Sequence, residues 1–203
     1  MIWDPFGDMD TRGILRNKKG IKNKAKLDTV EYLLIHTNID KALNVLTREK
    51  QIDLRSWRRT HAILFADIYP WAGTIRTQQV ERRYRFNVPE NVERESNAVF
   101  AKTRTKGFLI EHLGEVYGEL AFNHPFYDGN GRSLNVVFSE MARREGFGIA
   151  WDKFDKQSYL AHLTNAAFGC SYGGLTDYLK SKIIPLEQAD PESRLRYSSS
   201  PQA

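Results

Sequence analysis

The densest chemistry in this 203-residue sequence lies in nine residues, His-Pro-Phe-Tyr-Asp-Gly-Asn-Gly-Arg, from His124 to Arg132. They stand between two segments of helical apolar spacing, so the loop delivers its last residues into the N-terminus of a helix. The first-turn N–H groups of a helix lack partners inside it and lie at the positive end of its dipole, which makes that place an anion site. Gly129 and Gly131 flank Asn130 and let the backbone approach a ligand with no Cβ in the way. Arg132 adds a cationic fork suited to phosphate oxygens. Asp128 offers a hard oxygen of the kind Mg²⁺ uses when it also holds nucleotide phosphates. His124 is the loop side chain able to take a proton near neutral pH. Each residue also has a plainer reading: His124 as a turn histidine before proline, Asp128 as an N-cap, Gly-Asn-Gly as a common turn. Taken together, a base, a metal ligand, an anion nest and an arginine within nine residues describe a phosphate-handling site. Phe126 reads as the apolar anchor that fixes the loop.

The elements that must position this loop are mostly helices. Residues 1–27, with Pro5, Gly7, Gly13 and Gly20, show no sustained period and read as an irregular lead-in packed on the core. Asp28 and Glu31 form a capping-box pattern before Val30, Leu33, Leu34, Thr37, Leu43 and Leu46, which predicts a helix to about Thr47. Asp53 opens a second helix whose Trp57, His61, Leu64, Phe65 and Ile68 share one stripe, ended by Pro70. Helical period is absent between Thr74 and Val88, where short extended pieces suggest the single hairpin. Pro89 suits a first helical position, a further helix runs from Phe108 through Leu120, and the helix after the loop carries Leu134, Val137, Phe138 and Met141 before Gly146. Helices at about 156–168 and 175–184 complete a mainly α domain over residues 28–186, and a polar tail fills 187–203.

Composition excludes several classes. Hydrophobic residues at 41% and charged residues at 27% suit a folded domain. No apolar run approaches the roughly 20 residues of a bilayer span, and Asp4, Asp8 and Asp10 stand where a secretory signal would be apolar, so the expectation is a cytoplasmic start. Cys170 is the sole cysteine, which removes intrachain disulfides and cysteine-based zinc sites. The net charge of +5 falls short of the one-sided basic clusters of a dedicated nucleic-acid binder. Walker-type, HExxH and GxSxG patterns are absent, and His36, His61, His112 and His162 lack metal-ligand spacing. His61, on the apolar stripe, reads as a satisfied core histidine.

At the loop the sequence resembles the Fic family, whose signature is His-x-Phe-x-(Asp/Glu)-Gly-Asn-Gly-Arg-x-x-Arg; every specified position matches except the last, here Asn135. The stretch His61–Arg76, HAILFADIYPWAGTIR, resembles the family's helix and Tyr-Pro-Trp-Ala-Gly corner, and the likeness runs over about residues 10–186. The resemblance implies a Fic-type helical core with a small β-hairpin flap and transfer of AMP from Mg·ATP to a Ser, Thr or Tyr hydroxyl of a target protein. It implies His124 as the base and Asp128 as the Mg²⁺ ligand, with Gly129, Asn130, Gly131 and Arg132 on the phosphate chain. The flap Thr77–Phe86, with Thr77, Gln78, Gln79, Val80, Tyr84, Arg85 and Phe86, is implied to register the target by strand addition. Related chemistries, transfer of phosphate or another nucleotide moiety, or a weakened nucleotide-binding module, stand as alternatives. Asn135 replaces the arginine that reaches the terminal phosphate in relatives. Three residues after Arg132, it can face either the nucleotide or solvent, and a core-facing amide is not expected. The family's inhibitory helix pattern occurs nowhere in the chain, which implies a separate antitoxin chain, or an effector delivered to another cell.

Overall fold

The computed structural model describes residues 14–80 and 85–189. Asn23 accepts the Lys26 N–H with its side chain and so starts α1 (Lys24–Arg48) one turn before Asp28. Asp28 therefore pairs with Lys24 inside the helix instead of capping it. The buried face also differs from the expected stripe: Leu27, Glu31, Ile35, Ile39, Ala42 and Leu46 point inward, while Leu33 is 57% exposed. Both series fit a 3.6-residue period, and the true one passes through a glutamate. The described part of the lead-in, from residue 14, lies against the core through Leu15 and a hydrogen bond from Lys18 N–H to the Ile68 carbonyl; residues 1–13 lie outside the described residues.

Asp53 and Ser56 make a reciprocal capping box for α2 (Leu54–Phe65), whose Trp57, His61, Leu64 and Phe65 are buried as the stripe requires. Pro89 is the first residue of α3 (Pro89–Lys102). The helix expected from Phe108 is interrupted at His112, giving α4 (Phe108–Glu111) and α5 (Leu113–Asn123). After the loop, α6 (Asn130–Arg144) is buried along almost its whole length and forms the centre of the domain. Gly146 ends it with φ +91°, as its N–H bonds the Arg143 carbonyl. α7 (Lys156–Gly169) and α8 (Gly173–Lys180) pack on α5 from one side, α3 packs on it from another, and α1 lies across α2 and α6. Gly114 lets α8 approach α5 closely, because a Cβ there would lie 2.4 Å from the Tyr172 carbonyl oxygen.

The last helix stops at Lys180, short of the expected 184. Ile183–Ile184 (β2) instead pairs antiparallel with Gly148–Ile149 (β1), in the register Gly148↔Ile184 and Ile149↔Ile183. Two β-branched residues in a row favour this extended pairing over another half-turn of helix. Among the described residues this is the sheet, and it lies far along the chain from the expected hairpin at 74–88. Positions 81–84 of that segment, Tyr84 included, lie outside the described residues. No described helix is long and apolar enough to cross a membrane.

α1 is locked to α6 at the end remote from the loop. Arg144 donates to the carbonyls of Leu46 (2.9 Å) and Glu49 (2.7 Å), capping α1, while the buried Glu140 carboxylate holds both Arg143 and Arg144. The near end of the same pairing builds the site.

Candidate active site

The loop between α5 and α6 turns in one residue. His124 caps α5 in the left-handed region (φ 44°, ψ 61°), which costs a non-glycine residue about 1 kcal/mol and is sustained only by its surroundings. Asn130 supplies part of them: its Oδ1 accepts the Phe126 N–H (2.9 Å) and its Nδ2 donates to the Phe126 carbonyl (2.8 Å). Both of its polar atoms are spent on the loop, and only its main chain at the helix start is left for an anion. Phe126 is fully buried, its ring 3.8 Å from that of His61 and edge-on to Trp57.

His61 is more than a core histidine. Its Nδ1 accepts the Gly73 N–H (2.9 Å), so its Nε2 carries the proton and donates to the Asp128 carbonyl (2.9 Å). Burial drives its pKa down to about 3, partly offset by the Asp128 bond, and the ring stays neutral. α2 thereby holds the loop at the residue whose carboxylate is proposed to act.

Gly129 is required by its place. It has φ +75°, and a Cβ there would meet the Phe65 ring at 2.6 Å. Gly131 is open to solvent on its Cα side, and among the described residues no side chain caps the first turn of α6. An uncapped, accessible helix N-terminus of this length favours an anion.

Charge is concentrated at the same end. Asp128 Oδ1 accepts the Gly129 N–H (2.6 Å) and Arg132 Nη2 (3.2 Å). Arg132 Nη1 donates to Glu31 Oε2 (2.6 Å), its guanidinium lies over the Phe65 ring at 4.9 Å, and Tyr69 O–H donates to the other Glu31 oxygen. Burial opposes the Arg132 charge, yet Glu31 and Asp128 outweigh it and push its pKa above the ordinary arginine value. Burial, and then the Glu31 carboxylate, push Tyr69 the same way, so it remains a neutral donor. Glu31 is a site residue that the sequence reading missed. The signal was present, since Glu31 continues the four-residue spacing of Leu27, Ile35 and Ile39.

Asn135 does not belong to this group. It is 3% exposed, and its Oδ1 accepts the Tyr117 hydroxyl (2.6 Å), itself 2.7 Å from the Tyr159 hydroxyl. The amide is core-facing, contrary to expectation, because the Tyr117 hydroxyl from α5, itself bonded to Tyr159 of α7, satisfies its Oδ1.

The segment proposed as a flap is anchored at its roots. Thr77 N–H donates to the Tyr127 hydroxyl (3.1 Å), and Gln79 Nε2 donates across to the Phe86 carbonyl (2.8 Å). Gln78 is partly buried, Arg85 is exposed, and the Val80 side chain, 3% exposed, belongs to the core. The Phe86 ring stacks on His124 at 3.7 Å with 16° between planes.

Residues 51–142 match the model of the Fic/DOC family. The protein adenylyltransferase VbhT of Bartonella schoenbuchensis is 28% identical over 192 residues, 89% of this chain; the chain spans 38% of that relative's length. "Probable protein adenylyltransferase y4lH" of Sinorhizobium fredii is 29% identical over 72% of this chain and 80% of its own length. Among solved structures, the N-terminal Fic domain of a Bartonella quintana effector superposes with a TM-score of 0.71 at 22% identity, over 86% of this chain and 90% of that one. BepC of Bartonella tribocorum, solved with bound AMPPNP, gives 0.69 at 20% identity, over 85% and 93%. The segment that matches the Fic/DOC family model holds the His124–Arg132 loop at the head of α6, and the helical core around it has the fold of these solved Fic domains.

Proposed function

We propose that this chain is a protein adenylyltransferase, moving AMP from Mg·ATP to a Ser, Thr or Tyr hydroxyl of a target protein. The observation that carries the reading is the meeting of a left-handed His124 with an uncapped α6 N-terminus bearing Asp128 and Arg132. The names of the relatives, and the AMPPNP bound by one solved neighbour, support a nucleotide as the ligand.

The first-turn N–H groups of α6 and the Arg132 fork bind the phosphate chain. The Asp128 side chain is 31% exposed, and among the described residues no cluster of three or more His, Cys, Asp or Glu exists to cage a metal. One accessible carboxylate fits Mg²⁺, which is held by one or two carboxylates together with nucleotide phosphates. When bound, the ion neutralises phosphate charge. His124 takes the proton of the target hydroxyl as its oxygen forms a bond to the α-phosphorus. The bond from that phosphorus to the bridging oxygen breaks, and pyrophosphate leaves. The target backbone lies along the flap at 77–86, and a separate antitoxin chain, or delivery of the protein as an effector, accounts for control.

Parallel lysate reactions with α-labelled and γ-labelled ATP test this, followed by mass spectrometry of labelled bands. Label from the α-position alone supports AMP transfer. Label from the γ-position alone overturns it in favour of phosphate transfer, and silence in both, with nucleotide still bound, in favour of a binding module.

A further inference from the structure

Arg76 is 1% exposed and lies outside the loop that carries the chemistry. Its Nε donates to the His124 carbonyl (2.7 Å), Nη1 to the Gln78 carbonyl (3.1 Å), and Nη2 to the carbonyls of Asn87 and Asn123 (the latter at 3.5 Å). Its own N–H donates to the Pro125 carbonyl (2.8 Å). Gln78 and Asn87 are the two roots of the flap segment, while Asn123 and His124 are the last turn of α5 and its cap. We infer that Arg76 is a positioning residue that ties the target-docking segment to the His124 main chain, so that the bound hydroxyl and the base keep a fixed separation.

The chemistry of the side chain suits this task. A guanidinium presents five N–H donors in a rigid plane and can bridge carbonyls arriving from different directions, which a lysine with rotatable donors on a flexible stem cannot reproduce. The negative end of the α5 dipole lies at these carbonyls and favours a cation there. Three independent contacts close the same block. Asn87 N–H donates to the Phe122 carbonyl (3.1 Å), Asn87 Nδ2 to Asn123 Oδ1 (2.8 Å), and the Phe86 ring lies flat on the His124 imidazole. The flap roots thus hold the base from the main-chain side through Arg76 and from the ring side through Phe86.

The inference rests on the reading of His124 as base and of residues 77–86 as the docking segment, and the experiment separates the two. Arg76→Lys keeps the charge and loses the fork; Phe86→Leu, a milder change, removes the ring contact. A displacement of the order of 1 Å between reacting groups costs about 100-fold in rate. Arg76→Lys is therefore expected to lower kcat for AMP transfer by about 100-fold, with the Kd for ATP within threefold of wild type; Phe86→Leu gives a smaller loss of the same kind. Equal kcat, or a loss of kcat matched by equal loss of ATP affinity and of melting temperature, overturns the inference. Amide hydrogen exchange in the nucleotide-free protein gives the second readout and needs no turnover. Protection is expected to fall at Arg76 and Asn87 in Arg76→Lys while Val136–Ala142 of α6 stay protected. Unchanged or uniformly lost protection overturns the tie even if wild type transfers no AMP, and a silent wild type with the local exchange pattern leaves the tie standing while sinking the proposed activity.

Discussion

On the nucleotide side of the site an arginine is held by carboxylates, and on the flap side another is held by carbonyls. Arg132 pairs with Glu31 and Asp128, and its side chain is 15% exposed; Arg76 is buried and bonds only main-chain oxygens that are parts of the fold. An ion pair can exchange one anion for another at small geometric cost, which suits Arg132 to the phosphate contact proposed for it while Glu31 keeps hold of it. Carbonyls cannot be exchanged without moving the chain that carries them. The difference separates an arginine whose partners can be exchanged, as the proposed nucleotide contact requires, from one whose partners cannot.

The sharpest way to break the comparison is at the proposed base, which lies between the two sides. His124→Ala is expected to lower AMP transfer by about 10³-fold, within the range for removal of a general base, while Mg·ATP affinity measured by calorimetry stays near wild type. Wild-type labelling by this variant would remove His124 from the mechanism. Next in size is Asn135→Arg. Since Asn135 is buried against Tyr117, an added guanidinium becomes an unpaired charge in the core. Stability by urea unfolding should fall by about 3 kcal/mol or more, with no tightening of Mg·ATP. A stable variant with higher ATP affinity would mean that position 135 reaches the phosphates after all.

Smaller effects sharpen the nucleotide side. Asp128→Ala should weaken Mg·ATP by about 1.5–3 kcal/mol, the scale of a charge-assisted hydrogen bond. Glu31→Gln, which retains an acceptor oxygen for Arg132, should cost affinity less and appear chiefly as a stability loss of about 1–2 kcal/mol. If the two variants weaken ATP equally, Glu31 is as much a ligand-site residue as Asp128. A last effect is graded by pH. The His61 pKa is about 3 in the folded protein against an ordinary 6.5, so below 6.5 the unfolded chain binds a proton that the folded one does not. The stability contributed by neutral His61 is complete above that value and is lost as pH falls from 6.5 towards 3, by up to about 1.4 kcal/mol per unit. In melting curves the advantage of wild type over His61→Gln should shrink from pH 7 to 4.5. A constant gap would mean that the ring is not held neutral.

What could be read from the sequence follows the range of the interactions. The loop, its placement between helices, the α2 stripe with its Asp53 cap, and Pro89 at the head of α3 all rest on neighbours a few residues apart. The braces of the site do not. Arg132 meets Glu31 across 101 positions, His61 meets Asp128 across 67, and Arg76 meets His124 across 48, distances at which no spacing rule operates. Asn135 was misassigned for the same reason, because its partner Tyr117 belongs to another helix. In α1 the ambiguity is local: two stripes fit the helical period, and the true one contains a glutamate, a charge on an apolar face that is itself a sign of a buried partner.

The span between Glu31 and Arg132 also has a consequence in time. During synthesis the chain emerges from its N-terminus, and α1 is exposed long before its partner helix exists. Until α6 has left the ribosome, Glu31 lacks the Arg132 guanidinium and the turn proposed to bind phosphate has no chain. A nascent chain that ends before residue 132 lacks the binding arginine altogether, so the proposed transferase cannot act on the machinery that is making it until most of its core is available to close around the loop.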